Sequence, residues 1–196
     1  MEQDKAASRG RWKLFAILLV CAAPILLSYF TYYVIKPTSR TNYGTLIDPR
    51  DYPIPPLGTK TLDGKPASLA DYKGKWIMLQ VDRGACPETC RKKLYDMRQL
   101  RLTQGKDMDR IERVWLITDD EPLDTMLMRE YEGTRLLRAK ADLVNAWLPV
   151  ESGTVASDHI FMIDPLGNLM MRFPKDADPN RIKKDITKLL KVSSIG

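Results

Sequence analysis

Short apolar runs recur along the last two thirds of the chain and predict the strands of one sheet. Trp76 to Val81 is almost wholly apolar, as expected of a strand buried on both faces, and Val114 to Thr118 repeats that pattern. Ile160 to Ile163 and Leu169 to Phe173 flank the turn sequence Asp164-Pro165-Leu166-Gly167-Asn168. That order predicts two consecutive strands joined by a tight turn.

Helical spacing fills the intervals between these runs. Pro87 to about Thr103 places Cys90, Leu94 and Met97 on one helical face, and proline is tolerated in the first turn. Further helices are predicted over Pro122 to Tyr131, Ala141 to Leu148 and Asp178 to Val192, with a hairpin-like entry over Thr59 to Leu69 and a short strand near Leu136 and Leu137. The alternation predicts an α/β fold with a mixed, partly parallel sheet covered by helices on both faces.

The segment from Leu14 to Ile35 differs from the rest because it carries no charged residue. As a helix it would span roughly 33 Å, enough to cross a hydrocarbon core of about 30 Å. No small-x-small cleavage pattern follows Tyr33, so we expect an uncleaved transmembrane anchor rather than a signal peptide. Cys21 lies within this run and is interpreted as a small apolar side chain.

Basic residues crowd the amino-terminal side of the anchor, namely Lys5, Arg9, Arg11 and Lys13. The positive-inside rule therefore predicts a cytoplasmic segment over residues 1–13 and a single-pass protein of the inner membrane. The bulk of the chain would then face the periplasm or an equivalent extracytoplasmic space.

Residues 36–56 hold five prolines and few apolar side chains, which predicts an extended tether. The remaining residues, 57–196, are long enough for one domain. The formal net charge of +6 is spread along the chain without a basic stripe, which argues against a nucleic-acid partner. The acidic run Asp119-Asp120-Glu121 is expected to be a solvated loop.

Cys86 and Cys90 are the strongest candidates for chemistry. Residues four apart share a helical face, so a helix that begins near Pro87 can bring both sulfurs to one point. The helix dipole and the neighbouring Arg83, Arg91, Lys92 and Lys93 favour thiolate over thiol. The pair is predicted to be redox-active or metal-ligating, and the alternative is a structural disulfide or two buried thiols.

His159, the only histidine, precedes the strand that begins at Ile160. Two thiolates and one imidazole suit a copper ion, whereas two thiols alone would indicate redox exchange. Zinc is a weaker candidate because structural zinc usually takes four ligands, and no fourth is evident. Both chemistries stay open at this point.

Several motifs together resemble the Sco/SenC family. They are Thr61-Leu62-Asp63-Gly64-Lys65, the strand Trp76 to Val81, the CxxxC motif at a helix start, Thr118-Asp119-Asp120-Glu121-Pro122, and Asp158-His159 before the Asp-Pro-x-Gly turn. The resemblance covers roughly Pro56 to Lys191. This chain departs from the family pattern at Arg91, where the family usually has a proline, and in Asp82-Arg83-Gly84-Ala85 before the first cysteine.

The resemblance implies a thioredoxin-like fold and a copper ion, Cu(I) or Cu(II), bound by Cys86, Cys90 and His159. It further implies a metallochaperone that assists metallation of a cytochrome c oxidase copper centre, with an oxidase subunit or another copper or thiol-redox carrier as partner. The alternative is an extracytoplasmic thiol-disulfide oxidoreductase that uses Cys86 and Cys90 to keep oxidase cysteines reduced. An interaction module with vestigial cysteines is the remaining alternative.

Overall fold

The computed structural model describes residues 2–35 and 42–195, which belong to two separate units. The first unit is a helix, α1 (Glu2–Phe30), continued by a π-helical segment over Thr31–Ile35. A span from Trp12 to Val34 is long and apolar enough to cross a membrane. Its length and composition agree with the predicted anchor, although the helix begins well before Leu14.

The second unit is built on a seven-stranded mixed sheet with the order β1-β7-β6-β3-β4-β5-β2. The strands are β1 (Thr45–Leu46), β2 (Lys60–Thr61), β3 (Trp76–Asp82), β4 (Ile111–Ile117), β5 (Thr134–Arg138), β6 (Ile160–Ile163) and β7 (Leu169–Arg172). The helices are α2 (Glu88–Leu102), α3 (Thr125–Glu130), α4 (Ala141–Trp147) and α5 (Pro179–Val192). The predicted fold class, a thioredoxin-like mixed sheet flanked by helices, is confirmed.

Strand β3 is central and fixes the location of the cysteine pair. It runs parallel to β4 and antiparallel to β6, so both of its edges are hydrogen-bonded. All seven of its residues are buried, as the continuous apolar run predicted. The chain leaves β3 at Asp82 and enters α2 at Glu88, which places the CxxxC motif at the carboxyl end of the central strand.

Both faces of the sheet are covered. Ile77, Leu79 and Val81 of β3 pack in one apolar cluster, which includes residues of α4. Trp76 and Met78 point to the other face, where residues of α2 and α5 cover the sheet. The alternation follows from the two-residue period of a strand.

Residues 42–56 differ from the expected tether because they are part of the folded unit. Strand β1 pairs antiparallel with β7, and Ile47, Tyr52 and Ile54 pack against the core. The buried carboxylate of Asp185 in α5 accepts hydrogen bonds from the backbone N–H groups of Tyr43 (2.7 Å) and Gly44 (2.9 Å). The prolines suit an edge segment, since they remove N–H groups that an edge strand does not use. The part of the predicted tether before Asn42 lies outside the described residues.

The helix predicted over Pro122 to Tyr131 is shorter than expected. It begins at Thr125, because the side chain of Asp124 caps it by accepting a hydrogen bond from the N–H of Met126 (2.8 Å). The residues before Asp124 are non-helical and follow β4. This short helix turns out to cover the cysteine pair.

Candidate functional site: a buried disulfide at the carboxyl end of the central strand

Cys86 and Cys90 are joined in a disulfide, with their Cα atoms 5.1 Å apart. Cys90 lies in the first turn of α2, whereas Cys86 precedes the helix in a left-handed backbone conformation with φ of +40°. A non-glycine residue in this region is uncommon. The turn therefore holds the first sulfur above the start of the helix, where it meets the second.

The disulfide is enclosed by apolar side chains. The exposed fractions of Cys86 and Cys90 are 1% and 0%. Leu127 and Tyr131 from the α3 region pack in the same cluster, together with Leu94, Trp115 and Ile117 and the half-buried Leu123 and Leu136. An external thiol can therefore reach the disulfide only if part of this cover moves, and α3, with six residues, is the shortest helix in it.

Gln80 contacts the second cysteine directly. It is a fully buried residue of β3, and its Nε2 donates to the Sγ of Cys90 at 3.1 Å and to the carbonyl oxygen of Cys90 at 3.2 Å. Such a donor would stabilise negative charge on Cys90 once the disulfide opens. Gln80 is the one polar residue in the run from Trp76 to Val81, and this interruption is the sequence signal that could have identified it.

The loop before Cys86 is held by the acidic run that follows β4. Asp119 Oδ1 accepts a hydrogen bond from the N–H of Gly84 at 2.8 Å, and Arg83 contacts the carboxylates of Asp119 (3.4 Å) and Glu121 (3.3 Å). A Cβ on Gly84 would lie 2.8 Å from the carbonyl oxygen of Glu121, so only glycine permits this approach. The expectation of a merely solvated loop is therefore wrong for Asp119 and Glu121.

Each basic residue near the pair has a carboxylate partner. Arg91 approaches Asp124 at 3.6 Å, Lys92 approaches Asp96 at 2.8 Å, and Arg83 contacts the acidic run. Paired cations raise the local potential less than free ones do. The basic residues therefore favour a thiolate less than the sequence predicted, and the direct donor to Cys90 is Gln80.

Lys93 connects the two halves of the site. Its ammonium group is 3.5 Å from Asp82 Oδ2 and donates to the carbonyl oxygen of Ser157. Burial lowers the pKa of Lys93, and the charge and hydrogen bond of Asp82 oppose that shift. The residue therefore ties α2 to the end of β3 and to the turn that precedes His159.

His159 is fully buried, and both of its ring nitrogens have partners. Nδ1 is 2.8 Å from the carbonyl oxygen of Phe173, which can only accept, so Nδ1 carries the proton. Burial lowers the pKa of His159 and favours the neutral ring. Nε2 then holds a lone pair that faces the Thr154 hydroxyl at 2.8 Å. The same hydroxyl is 2.8 Å from the carbonyl oxygen of Glu151, so its single proton is shared between these two acceptors.

The three predicted ligands fit copper by chemistry but not by arrangement in this oxidised form. Sulfurs joined to one another offer no thiolate, and the Nε2 lone pair of His159 is used by Thr154. Within residues 2–35 and 42–195, no group of three His, Cys, Asp or Glu side chains is arranged to hold a metal ion. Copper binding would thus require both reduction of the disulfide and release of His159 from Thr154.

Loosening α3 should make the disulfide more accessible. Asp124→Ala removes both the helix cap and the contact with Arg91. The loss of a cap costs about 1 kcal/mol, which corresponds to roughly a fivefold faster reduction if opening of α3 limits access. The measurement is the rate at which a phosphine reductant reduces the disulfide in the full chain. The free thiols are alkylated, and mass spectrometry gives the alkylated fraction at each time.

Asp178→Ala provides the matched control, because Asp178 caps α5 in the same manner (2.9 Å to the N–H of Asn180) but α5 does not cover the pair. Its reduction rate should equal that of the unchanged chain. Equal rates for all three proteins would contradict a gating role for α3.

Two models of protein families match segments of this chain. A transmembrane-like, thioredoxin-like C-terminal domain matches residues 76–193, and a transmembrane-like N-terminal domain matches residues 5–34. The first match includes β3, the CxxxC motif, His159 and α5. No curated protein matches the sequence.

Solved structures of Sco proteins share the fold. Copper-bound ScoI of Arabidopsis thaliana is 16% identical with a TM-score of 0.54, over 71% of this chain and 99% of that one. Copper-bound yeast Sco1 is 16% identical with a TM-score of 0.55, over 72% and 90%. A SCO1/SenC family lipoprotein from Bacillus anthracis is 15% identical with a TM-score of 0.54, over 74% and 99%.

At these identities the solved structures show that the Sco-type fold is shared. The match to the C-terminal domain model covers more than half of the chain and includes the disulfide. The second match covers the apolar N-terminal helix. The chain belongs to the transmembrane-like, thioredoxin-like family.

Proposed function

We propose that this protein is a membrane-anchored thiol-disulfide redox protein whose working couple is Cys86 and Cys90. The observation that carries the proposal is the disulfide itself, placed at the start of α2 after the central strand and enclosed by a short helix. A five-residue disulfide loop contributes little stability by loop closure, so a purely structural role explains it poorly. The neighbouring buried donor, Gln80, adds a group suited to a thiolate.

The exchange takes place in two steps. A partner thiolate attacks Cys86 Sγ, the partner–Cys86 bond forms, and the Cys86–Cys90 bond breaks to leave Cys90 as thiolate. A second partner thiolate then attacks the partner's sulfur of the mixed disulfide and releases Cys86. This partner is oxidised to a disulfide, and this protein gains two electrons and becomes a dithiol. The same steps in reverse pass the two electrons from the dithiol to the disulfide of a second partner, which becomes a dithiol while Cys86 and Cys90 are joined again.

Gln80 determines the direction of attack. Its amide already donates to Cys90 Sγ, so Cys90 is the better leaving group and Cys86 is the sulfur that receives the nucleophile. The same hydrogen bond stabilises the reduced form more than the oxidised form, because a thiolate is a stronger acceptor than a disulfide sulfur.

Removal of this donor should lower the reduction potential. Gln80→Leu keeps the volume of the side chain but loses a hydrogen bond to a charged acceptor, which is worth roughly 1.5–3 kcal/mol. For a two-electron couple that loss corresponds to a potential more negative by about 30–60 mV. The measurement is a dithiothreitol titration of the full chain above pH ~8.5, where thiols ionise.

Gln99→Leu is the control, since Gln99 is a half-buried glutamine of α2 beyond the disulfide. Its potential should match that of the unchanged chain. An unchanged potential in Gln80→Leu would contradict the assigned role of Gln80. A native potential below about −300 mV would class the bond as a structural disulfide and overturn the redox proposal.

Copper binding by the reduced protein is the second candidate function. The observation that favours it is the hydrogen bond from His159 Nδ1 to Phe173, which leaves the lone pair on Nε2, the nitrogen that a metal could bind once Thr154 is displaced. Cys86, Cys90 and His159 would hold the ion, and two thiolates with one imidazole suit Cu(I). The similar structures of Arabidopsis thaliana ScoI and yeast Sco1 contain bound copper.

The variant Thr154→Val tests copper binding through His159, because the change removes the hydroxyl that contacts Nε2 of His159. The reduced full chain should bind one Cu(I), and Thr154→Val should bind it about fivefold more tightly, the value of one hydrogen bond of about 1 kcal/mol. His159→Ala should bind it more weakly and Cys86→Ser should not bind it. Competition with a chromophoric Cu(I) chelator measures all four affinities.

Equal affinities in Thr154→Val, His159→Ala and the unchanged chain would contradict ligation by His159. Thermal unfolding of each variant separates loss of ligation from loss of fold.

Both functions fit assembly of the copper centre of a cytochrome c oxidase. Copper is delivered to reduced thiols, so a carrier and a reductant of an oxidase subunit require the same pair of cysteines. The predicted orientation, with the domain on the periplasmic or equivalent side, would place the pair where such a subunit exposes its metal site. The yeast protein with the same fold is named Sco1, and a related BsSco structure is described as belonging to a family of cytochrome c oxidase assembly proteins.

A further inference from the structure

An apolar cavity lies at the end of the sheet opposite the disulfide. Its volume is about 530 Å³, and it is lined by Trp76 at the start of β3, by the turn after β6 and by the end of α5. Three large apolar side chains on its rim are exposed: Leu166 at 63%, Val192 at 86% and Ile195 at 51%. Clustered exposure of this kind marks a surface that binds something apolar.

A neighbouring surface at the same end of α5 is basic. A second cavity of about 600 Å³ shares Ser193 with the first, and its charged lining residues are Lys106, Asp107, Arg110, Lys183 and Lys191. Arg110 donates to the carbonyl oxygens of Leu190 (2.9 Å) and Ser193 (2.9 Å), which fixes the end of α5. An apolar surface beside a cationic one is complementary to the boundary between acyl chains and anionic headgroups.

The charge on α5 is one-sided. Its basic residues are Arg181, Lys183, Lys184, Lys188 and Lys191, and all five are exposed. Its single carboxylate, Asp185, is 3% exposed and binds the backbone N–H groups of Tyr43 and Gly44. The outward surface of the helix is therefore cationic, and an anionic bilayer attracts it.

The candidate membrane span and the side of the folded unit that carries the apolar cavity are close in the sequence. The span ends at Val34, and Asn42, which lines the apolar cavity, is the first residue of the folded unit. Only residues 35–41 lie between them in the chain.

From these observations we propose that the surface formed by Leu166, Val192 and Ile195 with the lysines of α5, here called the docking surface, binds an anionic lipid bilayer. The proposal does not depend on the redox or copper function. Trp76 and Asp82 are the two ends of β3, about 20 Å apart at 3.3 Å per residue. Docking would therefore direct the disulfide away from the bilayer, toward a partner in the aqueous space.

The test uses the full chain in lipid nanodiscs, with Cys21→Ser so that only an introduced cysteine is labelled while the native pair remains oxidised. An environment-sensitive fluorophore is attached at Ser194→Cys, and the control position is Met126→Cys on α3, 70% exposed at the disulfide end. Discs contain phosphatidylcholine with or without phosphatidylglycerol, together with a spin-labelled quencher lipid.

We expect quenching at position 194, stronger with phosphatidylglycerol and weaker at high salt, and little quenching at position 126. Lys183→Glu and Lys184→Glu should each weaken docking about fivefold or more, whereas Lys65→Glu on the β2 turn should not. Val192→Asp with Ile195→Asp should abolish quenching at 194, and Val155→Asp, an exposed valine elsewhere, should not.

Equal quenching at positions 194 and 126, or quenching at 194 that the charge and apolar variants leave unchanged, would overturn the proposal, since tether length alone would then explain it. Energy transfer between labelled chains without quenching by lipid would also overturn the proposal, because it would show that a second copy of the chain binds this surface. Thermal unfolding confirms that each variant is folded.

Discussion

The chemistry of this protein depends on the burial of one covalent bond. The disulfide between Cys86 and Cys90 is buried in an apolar cluster to which the α3 region contributes Leu127 and Tyr131. A buried disulfide exchanges only as often as its cover opens, so the stability of a six-residue helix determines the reactivity of the pair. The contact of Arg91 with Asp124 links the CxxxC segment to that cover. Arg91 stands where the Sco/SenC pattern has proline, and so this departure gives the cover an ionic contact that a proline could not provide.

Several residues both stabilise the fold and hold the cysteine pair and His159 in position. Strand β3 ends in Asp82, whose carboxylate meets Lys93 of α2, and Lys93 also binds the turn that presents His159. The acidic run after β4 holds the loop before Cys86 through Asp119 and Gly84. The cysteines and His159 are therefore held in place by connected contacts of α2, the end of β3 and the turn before His159. The docking surface lies at the opposite end of the sheet, so membrane contact and thiol chemistry would not compete for space.

Local patterns in the sequence predicted the elements formed by local interactions. The fully buried β3, the helix after Pro87 and the inward face of α5 followed from periodicity, because burial on these elements repeats with the backbone. Strand β1 could not be predicted, since its two residues depend on pairing with β7 more than a hundred positions away. The sequence proposed Cys86 and Cys90 as neighbours, but their burial results from side chains of α3, and the cap at Asp124 decides where that helix begins. His159 was predicted as a metal ligand. Its contact with Thr154 could not be predicted, because it depends on a turn whose sequence has no periodic pattern.

A redox function requires that the buried disulfide be reduced and formed again reversibly in the folded full chain. The most direct measurement is the redox state of Cys86 and Cys90 in intact cells before and after brief exposure to a membrane-permeant reductant. Acid quenching preserves the redox state, and alkylation followed by mass spectrometry determines it. A mixed population that becomes reduced and then reoxidises, without loss of the folded protein, is the predicted result. A pair that stays wholly oxidised until the protein is unfolded would contradict it and would leave the disulfide a structural bond.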